Sequence, residues 1–123
     1  MREPAGQRGI LWGKLLAYQG LLVGWFDWTI GGLETAIAAE QLFQQSVTIL
    51  EALGAAEECS CAFRGLGEYY RCLSQFDEMQ ACNQQALRCA EAKGDRWEIG
   101  QSLFMTGFGH FCAGKYAAAI EAL

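Results

Sequence analysis

Six cysteines and one histidine are the residues of this chain with intrinsic reactivity. The thiols are Cys59, Cys61, Cys72, Cys82, Cys89 and Cys112, and the imidazole is His110. Zinc sites usually bring paired ligands such as C-x-x-C. No two of these cysteines have that spacing, and no second histidine exists. A nucleophile needs a base within hydrogen-bond reach. His110 and Cys112 stand two apart in a helical stretch, so they point to different sides. No GxxxxGK[ST] is present and no GxGxxG follows a strand, so phosphate cradling is not indicated. Most of the cysteines fall where a packed helix takes a small apolar side chain. Buried structural thiols are therefore the leading reading, ahead of a disulfide and of a metal site. That reading implies a reducing, cytoplasmic compartment. No catalytic, cofactor-binding or metal-binding set stands out, and the chain reads as non-enzymatic.

Two rows of side chains could instead recognise a partner. Arg64, Glu68 and Arg71 share one helix face at i, i+4 and i+7. Their bland reading is a solvated ion network worth a few tenths of a kcal/mol. Phe104, Phe108 and Phe111 form an aromatic stripe at similar spacing. It either packs on neighbouring helices or anchors a peptide, since aromatic residues dominate hot spots.

The elements that hold these rows follow from composition and spacing. Hydrophobic residues make up 52% and charged residues 19% of 123, so the chain seeks burial. Its net charge is −5, and its nine basic residues form no run, which argues against direct nucleic-acid contact. The only proline is Pro4, which leaves the rest open to long helices. Gln44, Gln45, Glu51, Ala52, Gly54, Glu58, Gly67 and Cys72 recur forty residues later as Gln84, Gln85, Glu91, Ala92, Gly94, Glu98, Gly107 and Cys112. Chance would give roughly three such identities. A period of this length marks stacked helical units.

In chain order, residues 1–9 read as a polar lead. Apolar spacing predicts helices over Thr35–Leu53, Ala56–Leu73, Phe76–Lys93, Arg96–Ala113 and from Tyr116 onward, with a turn over Asp27–Glu34. Gly54 and Gly94 suit left-handed helix ends. Asp95 with Glu98 suits a helix start. Gly67 and Gly107 suggest close approach of two helices. The run 10–26 admits two readings. Leu11, Leu15, Tyr18 and Leu22 have the spacing of a packed helix. The same run is apolar enough to raise a membrane anchor or a secretory signal, although Lys14 and Gln19 interrupt it and a spanning helix needs about twenty apolar residues.

The residues Phe63, Leu66-Gly67, Tyr70, Phe76 and Ala86, and again Leu103, Gly107, Gly114, Tyr116, Ala119 and Leu123, resemble the tetratricopeptide repeat family. Thr106, His110 and Met79 depart from its pattern. The forty-residue period and the connector Gly94-Asp95-Arg96-Trp97 are similar to the longer variant of bacterial multidomain regulators. The resemblance implies an all-α fold of stacked antiparallel helical hairpins in a short right-handed solenoid. Its parts would be a lead over 1–9, a divergent hairpin over 10–54, a second repeat over 55–94 and a truncated third over 95–123. It implies a non-catalytic protein–protein interaction module within a larger bacterial signalling or transcription-regulatory protein. The partner would be a protein or peptide held in a groove that includes Arg64, Glu68, Arg71, Phe104, Phe108 and Phe111, without a cofactor. Leu123 falls inside an amphipathic helix with no cap, so continuation of the array or self-association through that helix is expected. The alternative is a membrane-tethered assembly factor anchored by residues 10–26.

Overall fold

The computed structural model describes residues 5–23, 33–114 and 121. Among them are five α-helices: α1 (Ala5–Leu22), α2 (Leu33–Ala52), α3 (Ser60–Cys72), α4 (Phe76–Lys93) and α5 (Arg96–Cys112). A short 3-10 turn, Ala56–Cys59, leads into α3. The fold is all-α, with no strand among the described residues.

Helix ends follow their local signals. Gly54 and Gly94 take positive φ of 70° and 73°. Gly94 N–H donates to the carbonyls of Ala90 and Glu91, closing α4. The Asp95 carboxylate accepts from Trp97 N–H and Glu98 N–H at 3.0 and 3.2 Å, opening α5. Glu98 does not complete a reciprocal box. Asp95 N–H is taken by Ala90, and the Glu98 carboxylate turns to Lys93 at 3.6 Å.

Some expectations are corrected. The lead over 1–9 is helical from Ala5, because Gly9 lies against Leu53 and Ile10 packs on the core. The helix from Ala56 divides into the 3-10 turn and α3. The turn at Asp27–Glu34 lies mostly outside the described residues, and its last residue, Glu34, already belongs to α2. The helix from Tyr116 is also outside them, except that Glu121 is helical.

Consecutive helices pack as antiparallel neighbours. Gly9 meets Leu53, Gly13 meets Leu50 and Gly20 meets Phe43, so α2 runs back along α1. Gln80 meets His110 while Lys93 meets Glu98, so α5 runs back along α4. The three-residue turn after Cys72 returns α4 along α3, the most extensive helix contact in the structure. α3 also touches α1 and α5, so the odd-numbered helices lie side by side.

Small residues set these distances. Phe43 on α2 lies against Gly20 of α1 and Gly65 of α3, where any Cβ would strike its ring. Asn83, forty residues later on α4, lies in the same way against Gly67 of α3 and Gly109 of α5. The buried positions of α4 are Met79, Asn83, Ala86 and Ala90, and forty residues earlier Ala39, Phe43, Ser46 and Leu50 of α2 are buried too. α2 buries Ala36 and Val47 in addition.

The apolar row Leu11, Leu15, Tyr18 and Leu22 faces outward, against the expectation of a packed face. The buried side of α1 is Gly13, Leu16, Ala17 and Gly20. The reason is proximity: Gly13 comes so close to α2 that the Ser46 hydroxyl donates to its carbonyl at 2.6 Å. At Gly13 and Gly20 a Cβ would strike Leu50 and Phe43, so those two positions admit no side chain. No helix among the described residues is long and apolar enough to cross a membrane.

An alternating charge row ties four elements. The Glu58 carboxylate, in the 3-10 turn, accepts from Lys14 of α1 and Lys93 of α4, both at 3.0 Å. Lys93 also reaches Glu98 of α5. Burial of Glu58 favours its neutral form, but the two ammonium groups outweigh it and lower its pKa below 4.5. Burial opposes the charge on Lys93 too, yet Glu58 and Glu98 raise its pKa above 10.5.

Two predictions follow from this packing and this charge row. Gly67→Ala should lower unfolding stability by about 1–3 kcal/mol, because its Cβ must displace Asn83. Gly100→Ala meets open space within a helix and should raise stability by up to roughly 1 kcal/mol. Urea midpoints decide both, and equal destabilisation would remove the close-approach account. Glu58→Gln should cost about 1–2 kcal/mol at neutral pH. The native contribution of Glu58 is complete above 4.5 and disappears as pH falls through its lower folded value; that of Lys93 is complete below 10.5 and disappears above its raised value. The stability gap between native chain and variant should therefore be flat between these limits and close on either side.

Candidate interaction cleft

The side-by-side odd helices leave a cleft of about 460 Å³ on one face. α1 contributes Leu21, and α3 contributes Arg64 and Glu68. α5 contributes Arg96, Trp97, Gly100, Gln101, Phe104 and Met105. The walls are mainly apolar, and the charges are two guanidinium groups and one carboxylate. Trp97 is 73% exposed and Phe104 is 56% exposed, so both present ring surface to an incoming group.

Local geometry fixes the polar members. Arg64 is not paired with Glu68, as one helix face had suggested; its Nη1 donates to Ser60 Oγ at 3.0 Å, one turn earlier. Glu68 instead receives a two-nitrogen contact from Arg71, with Nη2 at 2.9 Å and Nε at 3.1 and 3.2 Å. This hydrogen bonding raises the Arg71 pKa against the effect of burial. The Arg71 guanidinium carbon also lies 5.3 Å from the ring centre of Phe108, a cation–π contact between α3 and α5. Phe108 stacks on Phe104, with centroids 6.2 Å apart and planes 4° apart. A continuous row thus runs from Glu68 through Arg71 and Phe108 to Phe104.

Arg64, Glu68, Arg71, Phe104 and Phe108 are therefore brought to one surface. Of these, Arg64, Glu68 and Phe104 line the cleft itself, Arg71 and Phe108 stand beside it, and Phe111, 55% exposed, also lies outside the lining. Leu21, Arg96, Trp97, Gly100, Gln101 and Met105 were not anticipated. For Trp97 and Gln101 the signal was their spacing with Phe104 and Phe108, which extends the aromatic stripe by two turns toward the start of α5.

Of the reactive residues, Cys72 touches this row, its Sγ accepting from Arg71 Nη2 at 3.7 Å. All six cysteines are free thiols. Cys59 and Cys61 are buried, Cys82, Cys89 and Cys112 are half-buried and Cys72 is exposed, so the expectation of buried thiols holds in full for two of the six. Burial, with Cys89 and nearby carboxylates, pushes the Cys59 thiol up to about 12. Burial likewise raises Cys82 to about 11, so both stay protonated at neutral pH. His110 is half-buried, and its Nδ1 accepts from the Gln80 amide at 3.0 Å. Among the described residues no three His, Cys, Asp or Glu side chains are grouped to hold a metal ion. No family model, curated protein or solved structure matches the chain.

Proposed function

We propose that this chain is a non-catalytic protein-interaction module built as a short right-handed solenoid of tetratricopeptide-like hairpins. The cleft on the odd-numbered helices is its binding surface, and a peptide segment of a protein partner is its ligand. The observation that carries this reading is the convergence of α1, α3 and α5 on one apolar cleft with aromatic walls and charged edges. The recurrence of buried positions between α2 and α4 at forty residues supports the stacked-repeat reading. As the family resemblance implies, the module would serve a larger bacterial signalling or transcription-regulatory protein. Trp97 and Phe104 would receive an apolar or aromatic anchor, while Arg64 and Arg96 would select carboxylate groups beside it.

Selection of a displayed peptide library on the folded chain tests this. Enriched peptides should combine an apolar anchor with an acidic residue. Phe104→Ala and Arg96→Glu should each weaken binding roughly tenfold or more without altering the helical spectrum. Recovery of no peptide, or undiminished binding by both variants, would overturn the reading.

A further inference from the structure

α1 presents a second apolar surface, separate from the cleft lining except for its neighbour Leu21. Leu11, Trp12, Leu15, Tyr18 and Leu22 are 49–59% exposed. The spacing of Leu11, Leu15, Tyr18 and Leu22 is four, three, four, the alternation of a two-helix seam. No charge interrupts this face. The one charged residue between Leu11 and Leu22 is Lys14, which is turned to Glu58.

The other helices show what such a face receives. With Gly20 set against Gly67, Leu15 and Tyr18 correspond to Ala62 and Gly65 of α3. Those two are buried beneath the preceding helix, α2, with Gly65 directly against Phe43. α5 is covered in the same way by α4, with Gly109 against Asn83 and Met79. On α1 the corresponding face is open, and its geometry is that of a seat for one more antiparallel helix.

We infer that a second copy of this chain occupies the seat, pairing α1 with α1 about a twofold axis between Leu15 and Tyr18. Antiparallel pairing sets Leu15 against the partner's Tyr18 and Leu11 against the partner's Leu22. Antiparallel pairing also matches the direction in which α2 covers α3 and α4 covers α5. The five side chains leave on the order of 600 Å² open per copy, close to the roughly 800 Å² per partner of a standard interface. Both halves of this contact are uncharged, apolar and identical, as a twofold interface requires.

Sedimentation of the full chain over a wide concentration range is the test. The native chain should approach twice 13.5 kDa. Leu15→Arg and Tyr18→Glu should each weaken self-association roughly tenfold or more, while at concentrations too low for dimers they leave the helical spectrum and the melting temperature unchanged, because both side chains are about half exposed. Mixing the two variants should restore the dimer, since the antiparallel pairing sets the introduced charges of opposite sign together. A native chain of single mass at every concentration would overturn the inference. So would a dimer indifferent to both substitutions, or a single chain that sediments with phosphatidylcholine vesicles through Leu15.

Discussion

The structure depends on two notches cut by glycine. Each even-numbered helix pushes one side chain between two odd-numbered helices, and each notch exists because Cβ atoms are missing. Phe43 enters between Gly20 and Gly65, and Asn83 enters between Gly67 and Gly109. Helix packing normally separates axes by about 8–10 Å, with side chains setting the value. Removing side chains on the odd helices draws each pair together around a single wedge. One wedge therefore orients two odd helices at once. α3 receives both wedges, which makes it the common reference for α1 on one side and α5 on the other. The cleft is a consequence of that shared reference: its walls are the surfaces of helices that the wedges hold in parallel order.

Charge placement fits this frame. The two lysines at the junction, Lys14 and Lys93, are committed to Glu58 and Glu98. Lysine is a compact point charge on a flexible stem, suited to bridging elements whose separation is set elsewhere. The arginines act differently. Arg71 grips Glu68 with two nitrogens and lies over Phe108, while Arg64 meets a neutral hydroxyl. The planar guanidinium of Arg71 uses its fork on the Glu68 carboxylate and its face on the Phe108 ring. In a chain of net charge −5, the cleft lining holds two arginines and one glutamate.

Much of the fold was legible because its signals are local. Gly94 followed by Asp95 stops one helix and starts the next through backbone geometry and capping, and neither needs tertiary contacts. The direction of the α1 faces was not legible from its large residues. Leu11, Leu15, Tyr18 and Leu22 state that a face exists, but periodicity does not say which side is buried. The informative residues were the small ones. Gly9, Gly13, Ala17 and Gly20 mark the side where α2 approaches. Arg64, Glu68 and Phe104 were legible as surface rows, yet their meeting in one cleft required the wedge geometry. Arg96 and Trp97 were hidden because their segment reads as a connector, while in space it forms the mouth of the cleft.

The two wedges differ in chemistry, and the difference bears on register. Phe43 fills its notch by volume, and a ring in an apolar seat tolerates small slides. Asn83 is almost fully buried, and its amide donates to the Met105 carbonyl at 3.2 Å, while its Oδ1 has no conventional donor. An α-hydrogen of Gly67 stands toward that oxygen, which gives at most a weak C–H···O contact. An apolar residue there would avoid this cost. What the amide adds is a directional tie, since its one conventional hydrogen bond ends on the Met105 carbonyl of α5. The register itself is held by Gly109, where any Cβ would stand 3.0 Å from Asn83 Nδ2 and from Met79 Cε. A slip of one turn, about 5.4 Å, would bring a larger residue into that place and carry Trp97 and Phe104 away from Arg64 and Glu68. The buried amide thus couples the packing of α4 and α5 to the alignment of the cleft walls.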